Sequence, residues 1–200
     1  MVASRARARG RRQWRIMRGW GGETWSFNAL ALPKLQVAGV GLGSRPMSSA
    51  SAAIPVITQP GQGRGFSVFG DEVEFVITGE QTGGRFTQWI ETTHPGGGPP
   101  PHYHTREDEN FYVIQGSAEF FQGGQWTAVV PGTAVFMPKG EVHAFRNAGE
   151  TPLKMLITTV PSGFEIFFDR CAVEFAKTEG PDMTRLVEIA GEHGIHFVTP

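Results

Sequence analysis

The chain is 200 residues long, 40% apolar and 18% charged, with 27 glycines, 14 prolines and 15 phenylalanines against two tyrosines. That composition suits one domain with a sizeable core and excludes a disordered chain, a membrane span of 18 or more apolar residues, and any disulfide within the chain or thiolate-rich zinc site, since Cys171 stands alone. The net charge of −1 hides an asymmetry: residues 1–53 hold nine of the 18 basic residues and one acid, which leaves nine basic and 18 acidic residues beyond them and argues against nucleic acid as a partner.

Residues 1–53 open with "MVASRARARGRRQWRIMRGW", basic and poor in acids. Two readings stand level. The segment is an organellar transit peptide, which places the protein in mitochondria, or disordered sequence upstream of a start at Met47, which leaves it cytoplasmic. A basic tail that contacts an acidic surface is a third reading. "GVGLGS" (39–44) lacks the spacing and flanking elements of a dinucleotide loop and reads as linker, as does "GQGRG" (61–65).

From Gly70 the chain becomes a series of short strands broken by turn residues. "EVEFVIT" (72–78) alternates, with Val73, Phe75 and Ile77 on one face, and "RFTQWIETT" (85–93) follows. "NFYVIQG" (110–116) and "SAEFFQGGQWTAVV" (117–130) read as paired strands with a turn at Gly123–Gly124. "TAVFMP", "VHAFRN" and "PLKMLITTV" (152–160) complete the set. Strands at intervals of about 8 to 12 residues predict an all-β sandwich or barrel.

Helical spacing appears only at the end. "SGFEIFFDRCAVEFA" places Phe164, Phe167, Phe168, Cys171 and Phe175 three and four apart, and "DMTRLVEIAGEHG" starts at a capping Asp182 and stops at Gly191 or Gly194. These helices are expected to form a lid or a dimer element over the β body, with Cys171 as a packed thiol. His193 and His196 read as part of a surface turn. The chain thus divides into a basic arm (1–53), a β-barrel (54–160) and a helical extension packed on the barrel (161–200).

The chemistry concentrates in "GGGPPPHYHTREDENFYVIQG" (96–116). On an extended strand His102 and His104 point to the same face, and imidazole is the common ligand of first-row transition metals. A carboxylate is wanted next. Glu109 shares parity with Phe111 and Val113, whereas Asp108 faces the other way and Glu107 falls in the turn. Glu107 and Asp108 therefore read as solvated. In "GTAVFMPKGEVHAFRN" (132–147) a Pro138–Gly140 turn opens a strand at His143, which antiparallel pairing could bring beside the other two histidines.

Here the sequence resembles the cupin family of jelly-roll β-barrels. Gly96, His102, His104, Glu109 and Gly116 match its first motif, and Gly132, Pro138, Gly140, His143 and Asn147 match its second. The resemblance covers about residues 54–160, and the C-terminal helices look like those of quercetin-dioxygenase-like cupins. It implies a jelly-roll barrel with short C-terminal helices, and one divalent transition metal per chain held by His102, His104, Glu109 and His143. Iron, manganese, nickel, copper and zinc all tolerate that set.

Phe111, Val113, Val135, Met137 and Phe145 are expected to line an apolar substrate pocket, with Trp89, Phe121 and Trp126 beside them. Such a pocket suits a small aromatic or enolic molecule better than a sugar phosphate. The resemblance then implies a mononuclear dioxygenase like quercetin 2,3-dioxygenase, in which Glu109 serves as metal ligand and as the catalytic base. The alternatives are a non-catalytic metal- or ligand-binding module and a metal-dependent isomerase or lyase on a small carbonyl acid. A homodimer through the Phe-rich helix completes the expectation.

Overall fold

Strict alternation of buried and outward side chains builds the body of the protein. In β5 (Thr87–Thr93) every second residue is buried, and β12 (Leu153–Val160) repeats the pattern, so one face of each strand belongs to the core. The structure, a computed structural model, describes residues 52–198 and, upstream, the backbone of two paired strands, β1 (Arg12–Arg18) and β2 (Thr24–Ala29). That hairpin lies in the arm read as disordered sequence or transit peptide. The rest of the arm up to residue 51, Met47 included, lies outside the described residues.

The other strands are β3 (Arg64–Val68), β4 (Asp71–Ile77), β6 (His102–His104), β7 (Asp108–Gln115), β8 (Ala118–Gln122), β9 (Gln125–Val129), β10 (Ala134–Met137), β11 (His143–Asn147) and β13 (Ile195–Phe197). They form a six-stranded antiparallel sheet in the order β10-β7-β12-β5-β4-β3 and a five-stranded one in the order β13-β6-β11-β8-β9. This is the expected all-β jelly roll. The inner faces meet in an aromatic layer, where Phe111 of the large sheet lies 5.0 Å from Phe120 and 5.9 Å from Phe145 of the small one.

Consecutive strands β7 and β8 do not pair, contrary to the reading of 110–116 and 117–130 as neighbours. β7 lies between β10 and β12, and β8 between β11 and β9. The chain changes sheet at Gly116, where φ is +86° and a Cβ would come within 2.7 Å of the Pro152 carbonyl oxygen. The hairpin at Gly123–Gly124 joins β8 to β9 as expected.

Three further readings change. Part of "GQGRG" is strand, since Arg64 and Gly65 pair with Phe75 and Glu74. Phe121 is only partly buried and pairs with Trp126, while Phe120, adjacent in sequence, faces the core. Either phenylalanine of "AEFFQ" could have pointed inward, and the buried Ala118 sets the parity. The aromatic stripe offered as a dimer surface is consumed within the chain. In α2 (Phe164–Phe175), Phe164, Phe167 and Phe168 are buried, and Phe164 stacks on Trp89 at 5.1 Å.

Cys171 is fully buried, and burial pushes its thiol up to about 12, so it is an inert packing group. In α3 (Met183–Glu192), Asp182 caps the helix by accepting from the backbone N–H groups of Thr184 and Arg185. Past Gly194 the chain does not remain a surface turn: β13 joins the small sheet as a strand alongside β6. Among the described residues no helix is long and apolar enough to cross a membrane.

Candidate metal centre

The loop before β6 explains how two histidines reach the barrel interior. Gly96 donates to the Asn147 carbonyl, and Asn147 donates back to the Gly97 carbonyl, which ties the Pro- and Gly-rich turn to the end of β11. The Asn147 side chain is itself buried and bonds the Thr93 and Thr151 carbonyls, so the last residue of the second motif is structural. β6 then presents His102 and His104 inward and Tyr103 outward.

The register His143↔His102 between β11 and β6 supplies the third imidazole. Ring centroids lie 5.0 Å apart for His102–His104, 4.6 Å for His102–His143 and 5.3 Å for His104–His143. Glu109, inward on β7, reaches across from the other sheet. Its Oε2 stands 3.2 Å from His143 Nε2 and 3.5 Å from His104 Nε2. One donor atom from each of the four residues lies within 4.8 Å of the others, and all four residues are buried. That is close to the span set by bonds of about 2 Å to a common ion.

Charge and tautomer fit a cation here. His102 Nδ1 is 2.9 Å from the Pro100 carbonyl and His143 Nδ1 is 2.9 Å from the Glu141 carbonyl, so each donates from Nδ1 and turns Nε2 toward the cluster. Burial, helped by the neighbouring imidazoles, brings His102 down to about 3, which keeps it neutral. For His143 burial acts downward, but the hydrogen bond and charge of Glu109 outweigh it and raise the pKa. Burial likewise acts upward on Glu109, and the His143 hydrogen bond with the three imidazoles lowers it overall.

Both ring nitrogens of His104 are buried without a hydrogen-bond partner. An orphaned imidazole beside a carboxylate and two imidazoles is what a site for a transition metal supplies. Among the described residues this is the cluster that suits a single metal ion, and His193 and His196 stand apart from it. His193 lies beside Arg170, and the His196 ring stacks on Tyr103.

The surroundings are aromatic. Phe164 of α2 lies 5.4 Å from His104, Phe197 of β13 lies 6.1 Å from His102, and Phe111 lies 6.4 Å from His143. Of the expected pocket residues, Phe111, Val113, Met137 and Phe145 are core, and Val135 packs against that core partly buried. Only Phe111 among them has a ring contact with a cluster histidine. Phe164 and Phe197 were missed as neighbours of the site. The helical spacing showed that Phe164 would be buried but not against what, and β13 is only three residues long.

Glu107 was also missed. It was read as a solvated turn residue, yet it is 7% exposed, and its Oε2 lies 3.7 Å from His104 Nδ1. Its turn is covered by the end of α3: Thr105 N–H donates to the Gly194 carbonyl and the Arg106 side chain to the Glu192 carbonyl. Asp108 is half-buried and accepts from the Lys139 N–H, which fixes the Pro138–Gly140 turn ahead of His143.

Two facing antiparallel sheets around a buried three-histidine, one-glutamate cluster define a jelly-roll metal-binding domain. A family profile for the cupin domain matches residues 89–159, a span that includes all four cluster residues, and the chain belongs to the cupin superfamily. An uncharacterised protein of Aquifex aeolicus is 31% identical over 88 residues, 44% of this chain and 69% of that one. Quercetin 2,3-dioxygenase of Bacillus subtilis is 28% identical over 117 residues, 58% of this chain and 34% of that enzyme. The chain thus matches about a third of that relative's length. The structure of the polyketide cyclase RemF from Streptomyces resistomycificus compares with a TM-score of 0.49 at 22% identity, covering 54% of this chain and 80% of that chain.

Proposed function

We propose that the protein is a mononuclear metal-dependent dioxygenase acting on a small aromatic or enolic substrate. The observation that carries the reading is the pairing of a buried N3O donor set with aromatic neighbours and no opposing cation. Phe111, Phe164 and Phe197 flank the three imidazoles, and among the described residues no lysine or arginine is buried. Such surroundings favour an apolar planar molecule and give nothing to neutralise a phosphate. The likeness to the Bacillus enzyme over 117 residues points the same way.

In this reading His102, His104 and His143 would hold the metal and Glu109 would complete the set. The bound metal supplies Lewis acidity toward the substrate hydroxyl and a place for dioxygen to react. Glu109 faces the cluster as a carboxylate, so its oxygen can take the hydroxyl proton as the substrate binds. The three phenyl rings orient a flat substrate and exclude water. Oxygen consumption, followed with flavonols, diketones and catechols after reconstitution with Fe(II), Mn(II), Ni(II), Cu(II) or Zn(II), tests the proposal, with His104→Ala as the metal-deficient control. Uptake with at least one pairing, abolished in the control, is expected. Absence of uptake across the whole panel would sink the dioxygenase reading and leave a binding module or an oxygen-independent isomerase.

A further inference from the structure

We propose that Glu107 is a positioning residue for His104, accepting a hydrogen bond from Nδ1–H and so committing Nε2 to the metal. The inference rests on the reading of His102, His104, Glu109 and His143 as ligands. It starts from an inequality among the three imidazoles. His102 and His143 each have a backbone carbonyl at 2.9 Å from Nδ1, which places a proton on Nδ1 and directs Nε2 at the cluster. His104 has no carbonyl there. Its Nδ1 faces the Glu107 carboxylate at 3.7 Å, and its Nε2 faces Glu109.

His104 Nδ1 and Glu107 Oε2 are both buried without a hydrogen-bond partner, and each is the group facing the other. A buried donor and acceptor left apart have lost their water without gaining a partner, so the pair is driven to close. A movement of about 0.5 Å brings it into hydrogen-bond range. The covering turn holds Glu107 there against solvent, through Thr105 on the Gly194 carbonyl and Arg106 on the Glu192 carbonyl. The third imidazole is thereby backed by a carboxyl side chain where the other two have backbone carbonyls. That partner fixes the ring's orientation and makes it the most strongly donating of the three.

The test compares Glu107→Met with Glu107→Gln, side chains of similar size that differ in whether an acceptor oxygen remains. Two quantities are read: the affinity for Co(II), followed by its visible absorption, and the tautomer of His104 in the metal-free protein from imidazole 15N shifts. Wild type is expected to hold the proton on Nδ1. Glu107→Met is expected to bind Co(II) about 10–100-fold more weakly, the range for losing such a partner, and to show mixed tautomers. Glu107→Gln should keep the wild-type tautomer and lose less affinity. Wild-type affinity and tautomer in Glu107→Met would overturn the assignment. If wild type binds no Co(II), the metal reading itself fails, and the 15N shifts alone then decide whether Glu107 fixes His104.

Discussion

A buried carboxylate needs either a partner or a proton, and the barrel contains both solutions. Glu109 has partners in three imidazoles. Glu91, inward on β5, accepts from the Trp89 indole N–H at 3.0 Å and otherwise faces Asp71, a second buried acid. Burial lifts Glu91 from 4.5 to about 7, and Asp71 is raised as well, by burial and by the Glu91 charge. The sign follows directly. The unfolded chain releases the Glu91 proton near 4.5, while the folded protein keeps it until about 7. Between those values the folded state binds the extra proton, so its stability is greatest at the acid end and declines as pH rises through the window. In the metal-free protein, Glu91→Gln keeps an acceptor for Trp89 and removes the titration. Urea midpoints measured from pH 4.5 to 7 should therefore fall less steeply in the variant than in wild type. Parallel slopes would show that Glu91 does not hold its proton in the fold.

At the scale of the element, the loop between β5 and β6 sets the site, and its close approach to β11 depends on Gly98. There φ is +138°, and a Cβ would run into the Phe145 carbonyl oxygen and come within 2.9 Å of the Arg146 Cα. Gly98→Ala must push the loop off β11 and drag His102 with it. A loss of about 1–3 kcal/mol in denaturant unfolding is expected, together with weaker metal uptake. A variant that unfolds at the wild-type midpoint and loads metal normally would contradict this. The same elements show what the sequence could reveal. Parity along β6, β7 and β11 is a local, period-two property, so His102, His104, Glu109 and His143 could be chosen from spacing before any fold was known. Glu107 could not, because its burial comes from the end of α3, more than 80 residues away in sequence. Phe120 against Phe121 was undecidable from an adjacent pair, and β13 is too short to show a period.

For the molecule as a whole, the question is whether the barrel ends where the resemblance ends, at residue 160. The division at residue 160 follows the sequence pattern, but the packing crosses it. β13 lies against β6 with Ile195 opposite His104 and Phe197 opposite His102, so the strand that carries both histidines has a C-terminal neighbour. α2 places Phe168 against Phe66, Phe75 and Trp89, with centroids 5.5 to 6.4 Å apart. Glu165 binds the Gly79 N–H and the Thr87 hydroxyl, tying α2 to α1 (Gly79–Thr82) and β5. Burying a phenylalanine contributes about 1.5–3 kcal/mol, so losing Phe164, Phe167 and Phe168 together removes an amount comparable to the whole stability of an ordinary domain, about 5–15 kcal/mol. A chain ended after Val160 is therefore expected to lose its cooperative near-UV transition, bind a hydrophobic dye and fail to take up metal, even though all four proposed ligands remain. A truncated protein with a sharp transition and one metal per chain would instead establish residues 54–160 as an autonomous domain, with the helices a dispensable cover.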